Sequence, residues 1–235
     1  MSVTISDHQV EMRPPQVTAR TRLRVWSRSG PTRSTALLLA PAAGSNLDEP
    51  ALSTLGRGLS ARGVVVGAFD FAYQHARRRP PDRRDRLERA FHDALSVFAG
   101  LTGAQRHVLG GRSLGGRIAS HLAASGTGAG VLALAYPLHP GGEPDPLRTA
   151  HWPDITVPVL FVHGDRDRLC PVSALAGARA TWLRNAPSTV HVVAGADHGF
   201  RVRARDPRTA AEVAAELVAT VDRWISCTFE EDGHG

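Results

Sequence analysis

One serine in this chain stands where an apolar run breaks sharply into an amphipathic one. Gly111-Arg112-Ser113-Leu114-Gly115 follows the strand-like residues 106–110 and precedes a helical pattern over 114–125. A strand, a tight turn and a helix in that order lift a hydroxyl to the tip of a sheet, where it can act as a nucleophile. The turn needs glycine two residues to either side, because side chains there would collide with the neighbouring strand and helix, and the serine itself is held in a strained backbone conformation. Gly-x-Ser-x-Gly alone is a common pattern, so its placement at the junction carries the information.

A serine hydroxyl attacks well only if a base takes its proton and a carboxylate holds that base in the productive tautomer. After the strand-like run 157–162 comes His163-Gly-Asp165-Arg-Asp167-Arg-Leu-Cys170-Pro171, a loop at a strand's carboxyl end with two candidate acids. Asp167 is preferred, since two further residues let its side chain return across the top of the sheet. Asp165 then serves the loop by accepting from nearby backbone N–H groups. After the last strand-like run, 189–193, Gly195-Ala-Asp197-His198-Gly199 places a histidine between glycines. His198 is the candidate base; His163 closes a strand but precedes the acid. An oxyanion formed at the reacting carbonyl needs backbone donors. The N–H of Leu114 is one, and the N–H of Ala43 in Pro41-Ala42-Ala43-Gly44 is the other, with Ala42 as its substitute. Pro41 has no N–H to offer.

These loops must be carried by a mostly parallel sheet flanked by helices. Strand-like runs occupy 21–26, 35–40, 64–69, 106–110, 131–135, 157–162 and 189–193; helical patterns occupy 50–62, 83–99, 114–125, 171–183 and 207–225. The first two strands, joined through a Ser-Gly-Pro turn, are expected to pair antiparallel. Val213, Leu217, Val221 and Trp224 line one face of the last helix. Residues 1–18 and 226–235 read as flexible ends around a single domain over 19–225. The connection 136–156 holds 21 residues and five prolines, too short for a helical cap. Tyr73, Tyr136 and His139 are expected on the rim of an open site as substrate contacts.

Composition sets the outer limits. At 235 residues, 42% apolar and 21% charged, the chain can close one sizeable core. The net charge of +6 comes from 28 basic residues that are all arginine, the mark of a GC-rich coding sequence rather than of a polyanion partner, so no nucleic acid is expected. No apolar run is long enough to span a membrane. Asp7 and Glu11 stand where a secretory leader would be basic and then apolar, and a cytoplasmic location is expected. Cys170 and Cys227 match neither a disulfide framework nor a zinc spacing, and no metal or organic cofactor is expected.

The order Ser113, Asp167, His198 is that of α/β-hydrolases, and the chain resembles their dienelactone-hydrolase-like group. More narrowly it is similar to the branch containing testis-expressed protein 30 and the third subunit of the NSL chromatin complex. The stretches that carry this are Phe69-Asp-Phe-Ala-Tyr73, Arg77-Arg-Arg-Pro-Pro-Asp82, Gly110-Gly-Arg-Ser-Leu-Gly-Gly-Arg-Ile-Ala-Ser120, Ala135-Tyr-Pro-Leu-His-Pro140 and Asp154 to Gly164. The resemblance implies an α/β-hydrolase fold and a serine triad that maps onto Ser113, Asp167 and His198; the runs and the short connection noted above add about seven strands and no large cap domain. Relatives usually carry His-Gly-Ala-Gly where this chain has Pro41-Ala-Ala-Gly44, and Asn where it has Asp70. The function expected is hydrolysis of a small carboxylic ester or thioester. A non-catalytic interaction module on the same fold, or an acyltransferase or cyclase using the same triad, are the alternatives.

Overall fold

The computed structural model describes residues 2–139 and 147–230. Eight strands form one sheet in the order β1-β2-β4-β3-β5-β6-β7-β8. β1 (Val3–Glu11) and β2 (Arg20–Arg28) are antiparallel additions; β3 (Thr35–Ala40), β4 (Val65–Phe69), β5 (Arg106–Arg112), β6 (Gly130–Leu134), β7 (Val159–Gly164) and β8 (Ser188–Val193) run parallel. Between them lie α1 (Pro50–Ser60), the single turn α2 (Ala72–His75), α3 (Arg84–Thr102), α4 (Leu114–Ala124) and α5 (Val172–Trp182), and α6 (Ala210–Phe229) closes the chain.

β3 shows why the sheet is covered on both sides. All six of its residues are buried, and successive side chains point to opposite faces. Ala36, Leu38 and Ala40 join one cluster with Phe91 of α3, Ile118 of α4 and Leu175 of α5. Leu37 and Leu39 join the other, with Leu55 of α1 and Leu217 and Val221 of α6.

The same burial explains a departure from expectation. The predicted antiparallel pair of residues 21–26 with 35–40 does not form: β2 pairs with β4, and β3 inserts between β4 and β5. A strand apolar on both faces belongs in the interior. β2 alternates Arg20, Arg22 and Arg24 with Thr21, Leu23 and Val25, so it keeps a polar face and lies near the edge. A second correction concerns the N-terminus. Residues 3–11, expected to be flexible, make a nine-residue ladder with β2 in which Asp7 faces Arg24 and Glu11 faces Arg20, both as ion pairs. Val10 and Met12 are buried in the core. At the other end the last helix continues through Phe229, so residues 226–229 are also ordered, while 231–235 lie outside the described residues.

Candidate active site

The carboxyl ends of β3, β5, β7 and β8 lie at the same edge of the sheet, with β6 between β5 and β7, and each carries one loop of the site. At the end of β5 the chain turns at Ser113, whose φ of 52° and ψ of −109° lie where non-glycine residues are rare. The backbone N–H of Ser113 donates to Leu134 O at 2.8 Å, fixing the turn on β6. A Cβ built on Gly111 would fall 2.1 Å from Ala40 O, and one on Gly115 would fall 2.0 Å from the same oxygen. Both elbow glycines therefore press against a single carbonyl at the end of β3, which sets the elbow directly beside the Pro41–Gly44 loop.

Across the sheet top, His198 Nδ1 lies 2.8 Å from Asp167 Oδ2, and Asp167 Oδ1 accepts from Leu169 N–H at 2.9 Å. The Asp167 side chain is fully buried, whereas the His198 ring keeps part of its edge exposed. A carboxylate facing Nδ1 fixes the proton there and leaves Nε2 as the acceptor, the tautomer a general base requires. Asp165 instead accepts from Gly195 N–H at 2.9 Å, bracing the histidine loop. Gly164 is needed for the same approach, since a Cβ there would meet Ala196 O at 2.2 Å. Asp197 Oδ1 accepts from the N–H groups of Gly199 and Arg201, so the loop is tied on both sides of His198. Among the described residues no hydrogen bond joins the Ser113 hydroxyl to the imidazole; in such sites that contact commonly tightens only with substrate in place.

Ala43, exposed in the loop after β3, lines a recess of about 170 Å³ with Ser113 and Leu114. Leu114 opens α4, so its N–H has no acceptor within the helix and faces outward. Ala42 is not interchangeable with Ala43, because its N–H donates to Glu49 Oε2 at 3.3 Å. That leaves Ala43 as the better-placed second donor.

Glu49 is the residue whose role in the site was not read from the sequence. Its buried carboxylate holds Ala42 N–H and is bridged by Arg112 through Nε and Nη2, and Arg112 Nη1 donates to His198 O at 3.4 Å. One ion pair thus spans the Pro41–Gly44 loop, the elbow and the histidine loop. A signal existed only in part: Arg112 is the variable residue of the Gly-x-Ser-x-Gly pattern, and a long cation beside a nucleophile needs a partner. Replacing Glu49 by glutamine keeps an acceptor but removes the charge that anchors Arg112. It is expected to lower kcat by about tenfold with little change in KM, because three loops lose their common tie and small misplacements are costly. Steady-state kinetics against the wild type measures this, and an unchanged kcat would make the pair purely structural.

Other expected contacts are corrected. Tyr136 is fully buried, with its hydroxyl donating to Arg148 O at 2.7 Å, and cannot touch substrate. Tyr73 is also buried and stacks on Phe71; its hydroxyl lies beside the Gly44 backbone without a hydrogen bond of good geometry, and burial pushes it up to about 12. It underlies the Pro41–Gly44 loop rather than lining the rim. Both were placed wrongly because aromatic rings near a pocket in sequence are as useful for filling the core beneath it. His139 is half-buried, and its N–H donates to Leu169 O beside Asp167. Asp70 is buried and bound to Arg22 and to Leu47 N–H, so it braces the β2–β4 edge and bears no load in the recess. Among the described residues no three His, Cys, Asp or Glu side chains are grouped as metal ligands, and no helix is long and apolar enough to cross a membrane.

His163 lies wholly inside, behind the acid. Its Nε2 accepts from Tyr136 N–H, which places the proton on Nδ1, 3.9 Å from Asp167 Oδ2. Burial, against the pull of Asp167, drives it down to about 4. Burial likewise lowers His107, His121 and His151. A histidine depressed in the fold binds fewer protons than in the unfolded chain, so stability is full above about pH 6.5 and falls as pH drops toward 4. His163 alone accounts for a loss on the order of 3 kcal/mol. Urea unfolding of wild type and His163→Asn across this window is expected to show a shallower pH slope in the variant, and equal slopes would refute the assignment.

A family profile described as an alpha/beta hydrolase domain matches residues 33–226. The chain therefore belongs to the α/β-hydrolase family, and the sheet, helices and elbow described above are that fold. An α/β serine hydrolase homologue from Coxiella burnetii is similar to it at 18% identity, covering 93% of this chain and 96% of that one, with a TM-score of 0.74. A serine hydrolase without lid from Xanthomonas campestris matches at 15% identity over 94% of each chain with a TM-score of 0.72. A dienelactone hydrolase from Anabaena variabilis matches at 16% identity, 95% and 98% coverage and a TM-score of 0.71.

Proposed function

We propose that the protein is a serine hydrolase that cleaves a small carboxylic ester or thioester through Ser113, His198 and Asp167. The observation that carries this reading is the 2.8 Å contact of His198 Nδ1 with the buried Asp167 carboxylate, on a loop whose His198 O accepts from Arg112, the residue beside Ser113. Nε2 is thereby free to take the Ser113 proton as Oγ attacks the acyl carbon. The carbonyl oxygen, now an anion, is held by the N–H groups of Ala43 and Leu114. Collapse of the tetrahedral species breaks the bond to the leaving alcohol or thiol, which departs with the proton from His198. Water then attacks the acyl-enzyme by the same steps in reverse, releasing the acid and restoring Ser113.

The short connection after β6 and the lidless neighbour support an open site and a small substrate. The narrower kinship with the testis-expressed protein 30 branch, a cytoplasmic location and the absence of a nucleic-acid partner belong to the same proposal and rest on the quoted stretches and on composition. A fluorophosphonate probe tests the reading directly. Folded protein is expected to acquire one adduct, on Ser113, and heat-denatured protein none. Failure of the folded protein to react, with a panel of esters and thioesters also left uncleaved, would favour a non-catalytic module.

A further inference from the structure

The recess at Ser113 is lined by two cationic side chains that hydrolysis itself does not require, and by one carboxylate, Asp82, which pairs with Arg78 at 3.3 Å. Arg117 follows the nucleophile by one turn of α4; its Nε is fully buried and makes no hydrogen bond. Arg148 stands beside it, donating to Pro137 O at 3.3 Å. The same two side chains also line a larger neighbouring recess of about 630 Å³, together with Arg83 and Arg84 at the start of α3 and the stacked rings of His121 and His151. The two recesses therefore share a guanidinium wall.

Among the described residues that line this second recess, four arginines face one carboxylate, Asp85. Arg84 pairs with Glu88 at 3.2 Å and Arg83 approaches Asp85 at 3.8 Å, but Arg117 and Arg148 have no acidic partner among the described residues. Burial and the neighbouring Arg148 both pull Arg117 downward, the signature of a cation held without its counter-ion. His121 and His151, pushed down to about 4 and about 3 by burial, stay neutral and add no repulsion, and His151 Nε2 is engaged with Ser120 Oγ at 2.8 Å. Several guanidinium forks around one recess match an anion with three terminal oxygens and more than one charge better than a single carboxylate, which one fork would satisfy. Along α4, at about 1.5 Å per residue, Arg117 and His121 lie roughly 6 and 12 Å beyond Ser113.

We propose that this recess seats the phosphate group of the leaving arm: the substrate is an acyl ester or thioester whose alcohol or thiol portion carries a phosphate roughly 6 to 12 Å from the scissile bond. The inference rests on the serine-hydrolase reading and narrows it. Ser113 takes the acyl group, the phosphate-bearing alcohol or thiol leaves with the proton from His198, and water releases the acid.

The test separates the anion site from the chemistry. Inorganic pyrophosphate titrated calorimetrically into Ser113→Ala protein is expected to bind at one equivalent, and at least tenfold more weakly when Arg117→Met is added. Arg84→Gln, at an exposed position, gives a second weakened variant should Arg117→Met fail to fold. Matched acetyl thioesters of equal length ending in phosphate, carboxylate or hydroxyl are then compared on wild type and Arg148→Met. The phosphate compound is expected to exceed the hydroxyl compound at least tenfold in kcat/KM, with that ratio collapsing in the variant. No pyrophosphate binding, or equal preference for carboxylate and phosphate, would overturn the phosphate assignment while leaving hydrolysis intact. Pyrophosphate binding with no thioester cleaved and no fluorophosphonate adduct would instead sink the hydrolase reading, and with it the leaving-arm role.

Discussion

On the proposed mechanism, Ser113→Ala is expected to remove turnover of any ester or thioester that the wild type cleaves, lowering kcat by roughly 10⁴-fold or more. The size follows from the chemistry: without Oγ no acyl-enzyme forms, and only binding and the two backbone donors remain to assist water. Stability is expected to change little. The hydroxyl makes no hydrogen bond among the described residues, and alanine meets the same strain at φ 52° that serine already bears. Thermal midpoints within about 2 °C of each other, measured beside the kinetics, distinguish lost chemistry from lost fold. A variant that kept a tenth of wild-type activity would exclude Ser113 as the nucleophile.

Asp167→Asn is expected to cost roughly 10³- to 10⁴-fold in kcat with the backbone undisturbed. Oδ1 of the acid accepts from Leu169 N–H, so the oxygen of the replacement amide stays at that donor and its NH2 group turns toward His198. A donor then faces Nδ1, the imidazole proton moves to Nε2, and the ring presents the wrong tautomer to Ser113. Alanine at the same position would also remove activity, but would leave the Leu169 N–H unmatched and His163 facing a void, so asparagine is the cleaner experiment. A loss smaller than tenfold would mean that the imidazole is oriented by something other than this carboxylate.

How much of this was legible in the sequence depended on whether a residue's role was local. Gly111 and Gly115 were readable because sterics forbid anything larger at a strand-to-helix elbow, and the structure sets both against one carbonyl. Asp167 and His198 were readable as polar residues in glycine-bearing loops after apolar strands. Glu49 was not, because its meaning lies in Ala42, Arg112 and His198, residues brought to it only by the completed sheet. β1 was missed for a related reason. Its residues are mostly exposed and polar, so no apolar alternation marks it, and its order comes from pairing with β2. The mistaken hairpin of β2 with β3 reflects a local rule, that neighbours in sequence pair, losing to the demand that a wholly apolar strand have partners on both edges. Tyr136 shows the same limit at the scale of one side chain, since nothing near it in sequence announces that Trp152 and Phe161 close around it.

The tie from Glu49 through Arg112 to the histidine loop also divides the molecule by how freely it can change. Lengthening or shortening any one of the three loops would drag the other two out of register, which makes that part of the site a poor place for new specificity to arise. Residues 136–139 and 147–156 and the outer arginines stand apart from the tie. Selection, in nature or in the laboratory, can therefore alter what the protein accepts by remodelling one wall while the chemistry beneath it is inherited unchanged.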